Sequence, residues 1–369
     1  MKGLVLFIGA LGFASAAVAA AGQTQVATVD HLEVTQGNFD IHNFRFVDGE
    51  TLPDLRIHYH TLGKPARDAS GRVDNAVLIM HGTGGSGAQF LTPHFADVLF
   101  EPGELLDARK YYIILPDDIG HGGSSKPSDG LRMRFPHYDY ADMVRAEYLL
   151  VTQGLHVNHL RLVMGTSMGC MHTWMWGERW PQFMDALMPL ACLPARMAGR
   201  NWMNRQMIIN AIKSDSVWDH GNYRQEPRVG LTAANDVLLM MVADPHHWRV
   251  QYPSVKAATA FLRQTEDRML AHEDANDMIY QFDSSRDYDP SAELSNIVAP
   301  VMAINSADDQ VNPVGLDVMV MKEEMPKVKH GQFVLVPTSD STHGHGTHTW
   351  PAVWDQWLWR LLQESSSGH

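Results

Sequence analysis

The chain has 369 residues, of which 45% are hydrophobic and 19% charged. This globular balance sets disorder aside and leaves room for one large α/β domain with an insertion, or for two domains. Its 42 acidic and 29 basic side chains give a formal net charge of −13 without any lysine- or arginine-rich run, so no nucleic-acid partner is expected.

In chain order, the first feature is a targeting segment. Met1-Lys2 supplies a short positive start, Leu4 to Phe13 an apolar core, and Ala14 to Ala21 small residues with A-x-A sites at 17–19 and 19–21. This is the pattern of a cleaved secretory signal over residues 1–20, with an apolar core too short to span a bilayer comfortably. No other stretch reaches spanning length. The mature chain is therefore expected to be periplasmic or secreted, with no membrane span.

Gly22 to Phe39 reads as polar and irregular. Residues 41–47 and 55–62 alternate apolar and polar, which predicts a half-solvated antiparallel hairpin joined through Asp48-Gly49. Residues 76–80, 111–115, 160–164 and 186–193 are continuous apolar runs, the mark of strands buried on both faces. A helix over Tyr140 to Gly154 puts Met143, Ala146, Leu149 and Leu150 on one face. Alternating buried strands and helices predict a mostly parallel sheet with helices on both faces. Residues 196–289 break the rhythm: they are rich in Met, Trp, Asn and Asp, helical in period and without a buried strand run, so they read as a helical cap. The sheet pattern resumes with a strand at 300–305, a helix at 314–324, a strand at 333–336 and a helix at 350–363; residues 365–369 read as a loose tail.

The motif that carries chemistry is Gly165-Thr-Ser-Met-Gly169, between the 160–164 strand and a helix running to Trp180. A serine in such a turn is lifted clear of the sheet, and small residues two positions to either side let strand and helix approach. The turn also aims the Met168 N–H, at the helix start, toward a developing oxyanion. The only two cysteines, Cys170 and Cys192, flank this region; spacing leaves open whether they pair or stay as buried thiols.

A serine nucleophile needs a base, and the base a carboxylate to orient it. In a sheet of this kind both lie on loops at the C-terminal ends of later strands. After the 301–305 strand come Asp308 and Asp309, either of which fits the carboxylate. After the 333–336 strand comes His345 between Gly344 and Gly346, the base. The order serine, aspartate, histidine is that of the α/β hydrolases. His343, His345 and His348 match neither a helical i, i+4 pair nor a zinc motif, and the mechanism asks for no metal or cofactor. A second oxyanion donor is expected from the turn His81-Gly-Thr-Gly-Gly85, as the Thr83 N–H.

On these residues the chain resembles the homoserine O-acetyltransferases of the α/β-hydrolase superfamily, from about residue 55 to 360. The likeness runs through Asp74-Asn-Ala-Val-Leu78, Asp142-Met-Val-Arg-Ala146 and Gly165 to Met171. It continues inside the cap at Arg205-Gln206, Ala211-Ile212, Trp218, Gly221-Asn-Tyr223, Gly230-Leu231, Phe282-Asp283 and Tyr288-Asp289. It implies an α/β-hydrolase fold with core segments 40–195 and 290–365 around a cap at 196–289, and a homodimer formed through that cap. The family's aspartate has a proline four residues on, which Asp309 matches with Pro313 and Asp308 does not, so Asp309 is the orienting carboxylate.

Two departures bear on function. Where the resemblance calls for an Asp after the histidine, to hold an acceptor amine, this chain has Gly346. Where it calls for an Arg to hold the acceptor carboxylate, in Gly230-Leu-Thr-Ala-Ala-Asn235, it has Asn235. Losing one such charged contact costs roughly 2 kcal/mol or more. The reading is therefore an exported serine hydrolase acting on a small-molecule carboxylic ester. The alternatives are an O-acyltransferase with an acceptor other than homoserine, and a non-catalytic binder that would have no need of the three residues. Trp202, Met203, Met207, Trp218, Met240 and Met241 are expected either to line an apolar pocket or to form the cap's own core.

Overall fold

A computed structural model describes residues 32–366. The segment read as a signal, 1–20, lies outside the described residues, as do 367–369. The strands are β1 (Val34–Arg45), β2 (Thr51–Leu62), β3 (Ala76–Met80), β4 (Tyr112–Pro116), β5 (Leu162–Thr166), β6 (Leu187–Leu190), β7 (Val301–Ser306) and β8 (Gly331–Val336). The helices are α1 (Pro93–Leu99), α2 (Tyr140–Leu149), α3 (Met168–Arg179), α4 (Gly199–Ser214), α5 (Arg228–Met241), α6 (Pro245–Gln251), α7 (Val255–Leu270), α8 (Ala275–Asp283), α9 (Val314–Glu324) and α10 (Asp355–Ser366).

The strands form one sheet in the order β1-β2-β4-β3-β5-β6-β7-β8. The β1–β2 and β2–β4 pairs are antiparallel and every other pair is parallel. The chain leaves β3 for β4 on one side and returns to β5 on the other. That reversal opens a crevice outside the C-terminal ends of β3 and β5, where open α/β sheets bind ligands. β3, β4, β5, β6 and β7 are buried along their whole length, as continuous apolar runs require. Alternate residues serve opposite faces: Leu78, Met80 and Val163 pack with Met143, Trp174 and Trp176, whereas Val77, Ile79 and Met164 pack with Phe95, Trp354 and Leu358. Helices α2 and α3 thus cover one face, and α1 and α10 the other.

Between β6 and β7 lie α4 to α8 and no strand. These helices sit over the C-terminal ends of the parallel strands. Gln281 Nε2 on α8 donates to the Gly120 carbonyl (2.8 Å), Asp277 accepts from Ser128 N and Oγ, and the His247 ring on α6 stacks on His343 at 5.0 Å. Among the described residues, no helix is long and apolar enough to cross a membrane.

The structure corrects several boundaries. The stretch expected to be irregular up to Phe39 is strand from Val34, paired in register from Val34 with Leu62 to Arg45 with Thr51. β1 is an outer strand with most side chains at least partly solvated, and its first half lacks the apolar alternation that marks strands in sequence. The hairpin turn does fall at Asp48-Gly49, where Gly49 has φ +95°. Regular α2 ends at Leu149 and closes in one wide turn, Leu150–Gly154. β6 stops at Leu190, because Ala191 turns to φ +66°. The last helix starts at Asp355, after a short turn at Pro351–Val353. Ser365 and Ser366, where the loose tail was expected to begin, are the last residues of that helix, and their hydroxyls accept from Arg161 Nη1 and Nη2 at 2.8 and 2.9 Å.

Cys170, in the first turn of α3, is disulfide-bonded to Cys192, two residues beyond β6, with Cα atoms 5.8 Å apart. Spacing left this open because the two residues meet only once α3 folds back over β6. The bond closes a loop with a sequence separation of 22. Cross-linking a loop of this length restricts the unfolded chain by about 3 kcal/mol. Thiol titration of the denatured, unreduced protein should find no free cysteine, and Cys170→Ala with Cys192→Ala should lower the melting temperature by several degrees. Two titratable thiols, or an unchanged melting point, would contradict the bond.

Candidate active site

Ser167 sits between β5 and α3 with φ +55° and ψ −104°, a conformation L-residues rarely adopt. The flanking glycines show why it is tolerated. A Cβ on Gly165 would lie 2.1 Å from the Gly169 carbonyl oxygen, and one on Gly169 would lie 2.2 Å from the Met80 carbonyl oxygen. Only glycine lets β5, β3 and the start of α3 close up this way. The Gly169 N–H donates to the His81 carbonyl (2.9 Å), which ties the turn to the end of β3.

His345 reaches Ser167 from the loop after β8. Its Nε2 is 2.9 Å from Ser167 Oγ and its Nδ1 is 2.8 Å from Asp309 Oδ2. A carboxylate only accepts, so Nδ1 carries the proton and Nε2 is left to accept from the serine hydroxyl. Asp309 is held in turn: Oδ1 accepts from the Val311 and Asn312 N–H groups (2.7 and 3.2 Å), and Oδ2 also accepts from Asn312 Nδ2 (3.1 Å). Burial pushes the Asp309 carboxyl up, but the His345 charge and these hydrogen bonds outweigh it and hold it below the usual carboxylate range.

Asp308, the other aspartate considered from sequence, points elsewhere. It accepts from Ser306 Oγ, from Thr342 Oγ1 (2.7 Å) and from the Gly344 N–H (3.2 Å), so it clamps the loop that carries His345. The β3 turn is also pinned. Asp118 N–H donates to His81 Nε2 (3.0 Å), which leaves the proton on Nδ1 to reach the Gly82 carbonyl (2.8 Å). A Cβ on Gly82 would lie 3.3 Å from Ser167 Cβ, so this turn packs directly against the serine and Thr83 lines the space beside it.

A cavity of about 550 Å³ opens between these loops and the cap. Ser167, His345 and Thr83 line it from the sheet side, with Leu238, Met241, Val242 and Phe282 from the cap. Of the six Trp and Met residues singled out from sequence, Met241 lines it. Met203, Met207 and Met240 are solvent-exposed instead, and Trp218 is buried with its Nε1 donating to Asn276 Oδ1 (3.0 Å). Asn235 does not reach the cavity lining; its Nδ2 donates to Glu273 Oε2 at 2.6 Å. Beside Gly346 only His343 Cβ, at 3.9 Å, would meet an added Cβ, so the space where the resemblance puts an aspartate is open.

Three side chains here carried no sequence signal of their role. His348 lines the cavity with its ring 5.0 Å from that of His345; burial and the neighbouring His345 charge lower its pKa to about 3, so it stays neutral beside His345. Arg205 was visible only as part of a cap motif. Asp317, on α9, receives Asn305 Nδ2 at 2.9 Å, and burial together with the Asp309 charge pushes its carboxyl up to about 8. Three clusters among the described residues bring possible metal-ligand atoms within 4.8 Å of one another: His58–His60–Asp117, Asp244–His247–His343 and Asp118–Glu147–His172. In each, a histidine is already paired with a carboxylate at 2.7 to 2.8 Å. His343, His345 and His348 do not form such a group.

A profile of the family described as alpha/beta hydrolase fold matches residues 75–335, a span that holds Ser167 and Asp309 and stops short of His345. The chain is 26% identical over 314 residues to a probable acyltransferase of Methanothermobacter thermautotrophicus, covering 85% of this chain and 93% of that one. It is 29% identical over 341 residues to the homoserine O-acetyltransferase of Pelobacter propionicus, covering 82% of this chain and 88% of that one. Among solved structures, an acetylester hydrolase from Corynebacterium glutamicum matches with a TM-score of 0.76 at 20% identity, over 89% of this chain and 96% of that one. At that identity the likeness is one of fold.

The Asp317 environment sets a pH dependence. An acid whose folded pKa is raised binds a proton that the unfolded chain has released, so stability falls as pH rises from about 4 toward 8. Asp317→Asn should remove that contribution, and its melting temperature should fall less than that of the wild type between pH 5 and pH 8. Parallel melting curves for the two proteins would contradict a neutral Asp317.

Proposed function

The chain belongs to the α/β-hydrolase fold family, and on that premise we propose that it is an exported serine hydrolase that cleaves a carboxylic ester through an acyl-Ser167 intermediate. The observation that carries this reading is the continuous hydrogen-bonded line from Asp309 through His345 to Ser167 Oγ, ending in an open cavity. His345 Nε2 takes the Ser167 proton as Oγ attacks the ester carbonyl. Asp309 keeps the imidazole in the right tautomer and stabilises the imidazolium. The Met168 and Thr83 N–H groups receive the oxyanion, each worth roughly 3 kcal/mol in such sites. The ester C–O bond then breaks, the alcohol leaves with the proton from His345, and water attacks the acyl-serine by the same base.

Transfer to an acceptor other than water is the second reading, and sequence likeness to acyltransferases favours it. Against homoserine as that acceptor stand Gly346 and the Asn235–Glu273 pair, which leave neither a carboxylate nor a guanidinium at the two positions the resemblance points to. Export is supported by the residue 1–20 pattern and by the Cys170–Cys192 bond, which oxidising compartments sustain. Met203, Met207 and Met240, exposed on α4 and α5, support a homodimer formed through the cap.

p-Nitrophenyl esters of graded chain length, with and without added alcohols, amines and homoserine, test the reaction. The account predicts release in water alone, reduced at least ~10³-fold in Ser167→Ala. Turnover only with an acceptor would replace hydrolysis by transfer. Asp309→Asn should lower kcat by roughly 10³- to 10⁴-fold, far more than Asp308→Asn. Equal losses in the two would contradict the assignment of Asp309.

A further inference from the structure

Among the described residues, Arg205 on α4 is the one arginine or lysine that lines the Ser167 cavity. It is 2% exposed. Its Nε donates to Asn201 Oδ1 at 2.9 Å, one turn back on the same helix, and its guanidinium lies over the Phe282 ring at 5.6 Å. Its Nη1 is buried without a hydrogen-bond partner, and no carboxylate among the described residues pairs with it. The Thr83 Oγ1, which lines the same cavity, is likewise buried without a partner.

Buried polar atoms are almost always hydrogen-bonded, and a buried guanidinium is nearly always paired. Here the Arg205 guanidinium and the Thr83 side chain line the same cavity as Ser167. A guanidinium offers a planar fork of N–H donors that matches a carboxylate. The chain's net charge of −13 draws no anion in by itself, so the selectivity has to be local.

We propose that Arg205, with the hydroxyl of Thr83, is an anion subsite that binds a carboxylate carried by the substrate, so that the preferred substrates are carboxylate-bearing esters. This rests on the Ser167 cavity being the ester site. The guanidinium holding the carboxylate comes from α4 rather than from position 235 on α5, which in this chain is Asn235 and lies off the cavity. The carboxylate sits on either the acyl or the alcohol half of the ester, and matched pairs of substrates separate the two.

In the acyl arm, p-nitrophenyl valerate is compared with mono-p-nitrophenyl glutarate; in the alcohol arm, phenyl acetate is compared with 3-acetoxybenzoate. The anionic ester should exceed its neutral partner in kcat/KM by about tenfold or more in one arm, as charge-assisted hydrogen bonds provide. Arg205→Gln should abolish that preference and Arg205→Lys should keep part of it. A readout independent of turnover uses free glutarate and 3-hydroxybenzoate as probes. One of them should raise the melting temperature of Ser167→Ala, and the rise should vanish when Arg205→Gln is added. If no ester is turned over at all, the reading of the reaction fails, and these melting shifts still decide the subsite. If Arg205→Gln does not fold, the wild-type preference and the Ser167→Ala melting shift decide it alone. Neutral esters preferred in both arms, with no shift from either probe, would overturn the proposal.

Discussion

The rest of the structure depends on the backbone of one residue. Ser167 holds a left-handed conformation that costs of the order of 1–3 kcal/mol and persists only where the surroundings over-determine it. They do so here on every side. β5 is buried throughout, ten of the twelve residues of α3 are buried, and two glycines allow carbonyl contacts that any side chain would block. The Cys170–Cys192 bond fastens the first turn of α3 to the loop beyond β6. The stiffness of the core is thereby passed to one hydroxyl. Every other element of the site is positioned relative to it.

Carboxylates of the same kind take different parts because their surroundings differ. Asp309 has a histidine and three donors and stays ionised. Asp308, next in sequence, spends its oxygens on the loop that delivers His345. Asp317 receives one amide, faces the Asp309 charge and keeps its proton near neutral pH. A second negative charge beside Asp309 would weaken its ability to orient His345, so a protonated Asp317 preserves the polarity of the line. His348, held neutral against His345, does the same on the other side.

Much of this was legible in the sequence because it rests on short-range signals. Continuous apolar runs mark strands buried on both faces, and G-x-S-x-G between a strand and a helix marks a strained turn. Residue type alone left Asp308 and Asp309 open, and it was the family resemblance, through Pro313 four residues on, that pointed to Asp309. What sequence missed depends on long-range packing. The first half of β1 hid because an outer strand needs no apolar alternation. The cysteine pair hid because α3 must fold back before its residues meet. The cap misled because its methionines are divided between cavity and surface, a division set by how α4 and α5 sit on the core rather than by helical period. Arg205 reads in sequence only as part of a cap motif, and the missing partner of its Nη1 is a property of the assembled cavity.

The central claim is that Ser167, activated by His345, takes up the acyl group. Stoichiometric reaction with a p-nitrophenyl alkylphosphonate, followed by peptide mass mapping, tests it most directly. The account predicts one equivalent of p-nitrophenolate per chain, a single phosphonyl adduct on Ser167, and a large loss of labelling rate in His345→Ala. An adduct on another residue, or labelling of Ser167 at an undiminished rate without His345, would contradict it.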